Sequence, residues 1–181
     1  MVSMEQPASR LVDVVPYCLV DGMPTFRDSD LATLYDRQVR DGNGYGEMAG
    51  GFRQFLGEVR DRSRLLYVVL VGGVPGGMLA LTHFQERFAQ AHLTVFREFW
   101  GRAFQPHGRE AVRTVLEGLD GRGNPVWDGF LALIPEQNRL AVAYARRCGF
   151  QNVGVVPFGW HDRNKSRSVP AVMLALGRGD S

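Results

Sequence analysis

The chain has 181 residues, a formal net charge of +2, 45% hydrophobic and 22% charged residues. That length suits one domain, 1–181, with a substantial core, and so small a charge gives no case for nucleic-acid or membrane binding. Cys18 and Cys148 make neither a disulfide framework nor a metal cluster, and no apolar run is long enough to cross a membrane, so a cytoplasmic protein is expected.

In chain order, 1–10 is polar and expected to be disordered. Leu11–Val20 is β-branched and reads as a strand broken near Pro16, with a turn at Asp21–Pro24. Asp28, Ser29 or Asp30 can cap a helix over Leu31–Arg40. After a glycine-rich break at Asp41–Gly46, apolar Met48, Phe52, Phe55 and Val59 predict a helix over Glu47–Asp61. Leu65–Val71, Met78–Phe84 and Ala89–Phe96 read as three consecutive strands, the first continuously apolar as in a sheet interior. A helix follows Gly108 to Leu119, a strand covers Val126–Ile134, and Pro135-Glu136 opens a helix that reaches Arg147 and stops at Gly149. Strands at Val153–Trp160 and Val169–Leu176 flank a charged hairpin, His161–Ser168. The order β, α, α, β, β, β, α, β, α, β, β is of the α/β (α+β) class, and its three consecutive strands suggest an antiparallel meander.

The stretch Phe99–Ala111, FWGRAFQPHGREA, joins a strand to a helix through a turn rich in glycine and arginine. Free backbone N–H groups at the positive end of a helix dipole suit an anion, phosphate above all. Gly108 permits close approach, and Arg102, Arg109 and Arg113 lie near to neutralise charge. A bare loop with a helix cap explains the same pattern.

A second stretch, Asn138 to Phe150, follows the apolar strand ending at Leu133-Ile134. Together the two resemble the GCN5-related N-acetyltransferase (GNAT) family, over roughly Leu65 to Leu176. The family's Gln/Arg-x-x-Gly-x-Gly/Ala turn, which binds the acetyl-CoA pyrophosphate, falls on Gln105, Gly108 and Glu110; its Asn-x-x-Ala…Gly-Phe helix falls on Asn138, Ala141, Gly149 and Phe150. The resemblance implies a mixed, mostly antiparallel twisted sheet of six to seven strands with four helices, its two central parallel strands splayed apart. It implies acetyl-CoA as co-substrate, held by Val95, Phe96, Arg97, Arg102, Gln105, His107, Gly108, Arg109, Glu110 and Asn138. The chain departs from the family in three places. Glu110 puts a carboxylate where Gly or Ala is usual, and Pro106 lacks an N–H. Ala145 stands at the position of a tyrosine that protonates the leaving thiolate, a pattern shared by some phage-type members.

Acetyl transfer to an amine needs a base, an N–H donor for the thioester oxygen, and good positioning. The donor is expected from backbone near Val95–Arg97. Candidate bases are His92, His83 and Glu98. Tyr144 is expected on one packing stripe with Leu140 and Cys148, turned away from the sulfur. Asn138 suits the pantetheine amides or a helix cap, Arg147 neutralises its helix end, and Trp160 is a wall for the acceptor. The expected acceptor is a small-molecule or peptide amine, and the chain is a monomer or homodimer. The competing readings are a catalytically weak acetyl-CoA-binding protein with a regulatory or assembly role, and an unrelated enzyme for a phosphate ligand.

Overall fold

The computed structural model describes residues 12–41, 50–101, 105–162 and 166–179. In chain order its strands are β1 (Val12–Pro16), β2 (Leu19–Val20), β3 (Met23–Pro24), β4 (Leu65–Val71), β5 (Val74–Gln85), β6 (Phe88–Val95), β7 (Gly129–Pro135), β8 (Gln151–Asp162) and β9 (Arg167–Gly177). The helices among the described residues are α1 (Asp28–Arg40), α2 (Gly51–Arg60), α3 (Gln105–Leu116) and α4 (Arg139–Arg147), with a 3₁₀ turn at Arg97–Phe99.

Among the described residues seven strands form one sheet in the order β1-β4-β5-β6-β7-β9-β8, and β2 pairs with β3 in a separate hairpin. Every pair in the sheet is antiparallel except β6 with β7. The apolar run of β4 lies inside the sheet, with Val68 and Val69 fully buried, because both of its faces are covered. At Gly77 a Cβ would run into the Thr94 carbonyl, so only glycine lets β5 and β6 approach closely there.

Alternate residues of a strand serve opposite faces. Leu79, Leu81, Ala89 and Ala91 pack under α3 and α4 with Val112, Val115, Val142 and Cys148. Met78, Ala80 and Phe96 pack under α1 and α2 with Leu31, Leu34, Tyr35, Phe55 and Val59. On β6, therefore, odd-numbered residues face α3 and α4, and even-numbered residues face α1 and α2.

Several boundaries differ from expectation for local reasons. α1 starts at Asp28, because Arg27 is its N-cap and the Asp30 carboxylate accepts the Arg27 N–H at 3.0 Å. α3 starts at Gln105, so the expected turn is itself the first turn of the helix; it ends at Leu116, and Leu119 instead bridges Pro125. Pro135 stays in β7, and α4 begins only after Asn138, whose Oδ1 accepts the Ala141 N–H at 3.2 Å. Leu140, expected in the core, is 83% exposed, since α4 turns that position away from the sheet. The expected helix start at Glu47 lies outside the described residues, as does Arg102.

Candidate active site

β6 and β7 pair only from Phe88–Gln90 to Gly129–Leu131. Beyond that point β6 continues against β5 to Val95, and β7 continues against β9 to Pro135, so the two strands part. The Phe96 N–H bonds the Gly76 carbonyl at 3.0 Å. Antiparallel alternation then turns the backbone groups of Ala91, Leu93 and Val95 toward the opening. At its far end the Val95 carbonyl takes the Trp100 indole N–H at 2.9 Å. An open strand edge of this kind accepts an amide-bearing chain as a further strand would be accepted.

The N-terminus of α3 meets this opening. Pro106 sits in the first turn, where its missing N–H costs the helix nothing. Gly108 is buried within that turn. A Cβ there would collide with the Tyr144 hydroxyl and come within 3.4 Å of Leu93 Cδ2. Tyr144 reaches from α4 across to the Val95, Phe99 and Ala111 cluster; its buried hydroxyl adjoins the Cys148 thiol and has no partner of ordinary hydrogen-bond geometry among the described residues. Burial and the adjoining Cys148 thiol push the phenol well above its ordinary range, and burial pushes Cys148 up to about 11. Both stay neutral. The expectation that Tyr144 packs beside Cys148 holds, whereas its pairing with Leu140 does not.

On the outer side of α3, Arg109, Arg113 and Arg147 converge on a groove of about 520 Å³ that also touches Pro106, Glu110 and Glu117. Arg147, expected only to neutralise its helix end, thus joins the arginines of α3. A buried hydroxyl without an ordinary hydrogen-bond partner among the described residues, a helix N-terminus and three guanidinium groups fit a long phosphorylated cofactor with amides along its arm.

Two expected donors are already engaged. The Phe96 amide belongs to β5 and its ring is fully buried, and the Arg97 N–H bonds the buried Asp41 carboxylate at 2.9 Å. Neither amide is offered to a ligand, so the backbone facing the opening is that of Ala91, Leu93 and Val95, the last with its carbonyl already taken by Trp100. Arg37 of α1 stands 4.0 Å over the centre of the Phe96 ring and pairs with Glu98. That pairing holds one oxygen of the Glu98 carboxylate against α1. Asn138 caps α4 through Oδ1, so that oxygen serves its own helix rather than a ligand.

His92 lies two residues past Gln90, at the mouth of the opening, on the α1 and α2 face. It is partly buried, and burial holds its pKa down at about 4, with Arg64 and His83 adding to the effect. Its Nε2 is 2.9 Å from Thr82 Oγ1, which is also 2.9 Å from His83 Nδ1. His107 is half-buried in the first turn of α3, and His161 is exposed on β8 opposite Ser168. Trp160, expected beside the acceptor, is half-buried on β8 opposite Val169. Sequence reasoning missed Thr82 and Asp41, because a lone threonine or aspartate carries no spacing signal.

A mixed sheet whose single parallel pair splays beside a helix N-terminus is the fold of the GNAT acetyltransferases. The chain is similar to an acetyltransferase of Salmonella typhimurium that modifies the N-terminal serine of a 50S ribosomal subunit protein, with TM-score 0.68, 13% identity, and 94% and 96% of the two chains covered. It is similar to a mutant of the spermidine N-acetyltransferase SpeG of Vibrio cholerae, with TM-score 0.64, 14% identity, and 92% and 94% covered. It is also similar to the microcin C7 self-immunity acetyltransferase MccE in complex with acetyl-CoA and AMP, with TM-score 0.62, 15% identity, and 83% and 87% covered. No family model and no curated protein matches the chain. Among the described residues no helix is long and apolar enough to cross a membrane.

Proposed function

We propose that the protein is an acetyl-CoA-dependent N-acetyltransferase that acts on an amine by direct transfer. The observation that carries this reading is the opening of β6 from β7 beside the first turn of α3, with the arginine groove on the far side of that helix. Acetyl-CoA, when bound, supplies an acetyl thioester. The first turn of α3, Arg109, Arg113 and Arg147 hold the phosphates. The backbone of Ala91 and Leu93 takes the amides of the pantetheine arm, and the Tyr144 hydroxyl gains its missing partner on the same side. The acceptor amine approaches from the α1 and α2 face, where His92 takes its proton. A base with so low a pKa is always neutral at physiological pH, and orientation of the two substrates contributes most of the acceleration.

The acceptor is an amine on a small molecule or peptide, as for the spermidine and ribosomal-protein enzymes that share the fold. Thermal unfolding with acetyl-CoA tests the first half of the reading: saturation at 100 times Kd stabilises by ~2.7 kcal/mol. No shift at millimolar acetyl-CoA, together with flat calorimetry, overturns it. Release of free thiol across a panel of amines, aminoglycosides and peptides tests the second half. Binding without release from any acceptor points to a catalytically weak acetyl-CoA-binding protein.

A further inference from the structure

Consecutive residues of a strand point to opposite faces, so Thr82 and His83 have no reason to touch. Here they do. The register of β5 on β6 breaks between Thr82 and Gln85, and His83 adopts φ 50°, a left-handed conformation rare outside glycine. A bulge re-aims side chains, and this one brings the exposed imidazole of His83 back to the buried hydroxyl of Thr82. Backbone strain of this kind persists where the surroundings enforce it, and often at sites of function. On its other side Thr82 meets His92 Nε2, leaving His92 Nδ1 as the ring's second nitrogen. Three side chains thus form one hydrogen-bonded line from the splayed strands to the protein surface.

We propose that His92, Thr82 and His83 are a proton relay, in which Thr82 carries a proton between the base at the splay and a terminal imidazole at the surface. The proposal rests on the acetyl-transfer reading. At the start His92 carries its proton on Nε2, which donates to Thr82 Oγ1, while the Thr82 hydroxyl donates to a bare His83 Nδ1. As the amine nitrogen bonds the acetyl carbon, its N–H proton passes to His92 Nδ1. The His92 Nε2 proton moves to Thr82, and the Thr82 proton moves to His83 Nδ1. When the carbon–sulfur bond breaks and the electron pair stays on sulfur, His92 Nδ1 returns a proton to the thiolate. Thr82 then reprotonates His92 Nε2, and His83 gives its Nδ1 proton back to Thr82. One proton has gone from amine to thiol, every ring is restored, and no other acid is required. This accounts for a chain with Ala145 where a tyrosine acid is usual. Thr82 and His83 are positioning residues, since neither touches the reacting atoms.

The charged and titratable groups acting on His92 are Arg64 of the loop before β4 and His83, with Glu58 of α2 paired to Arg64 at 2.9 Å. Arg64 and His83 both oppose a lasting positive charge on His92. A proton arriving there is therefore driven onward along the line rather than stored.

The test uses Thr82→Val, which keeps the shape and removes the hydroxyl, and Thr82→Ser, which restores it. In the protein without any cofactor, the Thr82 hydroxyl proton should be slow to exchange in NMR spectra and show contacts to both rings. Titration curves of the four histidines should show His83 and His92 coupled, and Thr82→Val should weaken that coupling to the part carried by charge alone. With acetyl-CoA and an acceptor, Thr82→Val should lower kcat about 100-fold, with KM for acetyl-CoA unchanged and rescue by Thr82→Ser. His83→Gln should lower kcat equally, and the double variant no further, as for groups that act as one unit. A freely exchanging hydroxyl, uncoupled histidines in the wild type, or full kcat in Thr82→Val overturns the relay. Failure of the wild type to bind acetyl-CoA instead overturns the transfer reading, while the NMR signals still report on the relay.

Discussion

The Tyr144 hydroxyl occupies the space that a side chain at position 108 would need. Gly108 has no left-handed backbone to require glycine, so its identity is dictated by Tyr144 and not by local conformation. Gly108→Ala should therefore destabilise the protein by ~1–3 kcal/mol through overpacking, although alanine normally favours a helix. In a Tyr144→Ala background the same change should be neutral or stabilising. Urea unfolding of the four proteins measures the coupling, and additive effects would mean that the two groups do not compete for space.

Tyr144→Phe should stabilise the free protein by ~1 kcal/mol, because it keeps the ring and removes a buried hydroxyl that has no ordinary hydrogen-bond partner among the described residues. It should also weaken acetyl-CoA binding by ~5–10-fold, if the cofactor supplies the missing partner; a factor of 10 is 1.4 kcal/mol. Calorimetry of binding beside thermal unfolding checks both signs. A loss of stability would show that the hydroxyl is satisfied in the free protein.

Asp41, only 7% exposed, joins the end of α1 to the residue after Phe96 through the Arg97 N–H. Asp41→Ala leaves that N–H without its acceptor, at a cost of ~1–3 kcal/mol. Asp41→Asn keeps an oxygen in place and should cost less. Hydrogen exchange at Arg97 should accelerate in Asp41→Ala; unchanged protection would place its acceptor elsewhere.

His92 makes stability depend on pH. Its folded pKa of about 4 lies below the ordinary 6.5, so the unfolded chain takes up this proton first as pH falls. The contribution is fully present above pH ~6.5 and is lost progressively toward pH ~4, to an upper limit of ~3 kcal/mol. Unfolding of His92→Gln and wild type between pH 4 and 8 should show a shallower slope for the variant. Parallel slopes would show that His92 is accessible to water and ordinary.

Each of Arg109, Arg113 and Arg147 lines the groove on the outer side of α3. Replacing any one by Gln should weaken acetyl-CoA binding about tenfold, with a salt dependence lower than that of the wild type. Dephosphorylated or nucleotide-free thioesters should lose less affinity on the same substitutions. Equal losses for both ligands would place the phosphates outside the groove.

Leu65–Val71 reads as an interior strand from its unbroken apolar run alone, and β4 lies inside the sheet. The helices before Arg40 and Arg60 follow from local apolar periodicity, and the Asn138 cap from the preference of asparagine for that place. These features depend on contacts within a few residues, which the order of residues specifies directly. The site does not. Thr82 acts only because a bulge turns His83 back upon it, Asp41 reaches a residue 56 positions away, and Arg147 meets Arg113 because α3 and α4 pack on one face. Gly108 looks like a turn residue in sequence and proves to be a clearance for Tyr144. Leu140 fits a core stripe by spacing and is exposed, because the sheet, and not the helix period, decides which side of α4 is covered. Long-range packing chooses among alternatives that local energetics leave nearly equal, and at each of these residues that choice was tertiary.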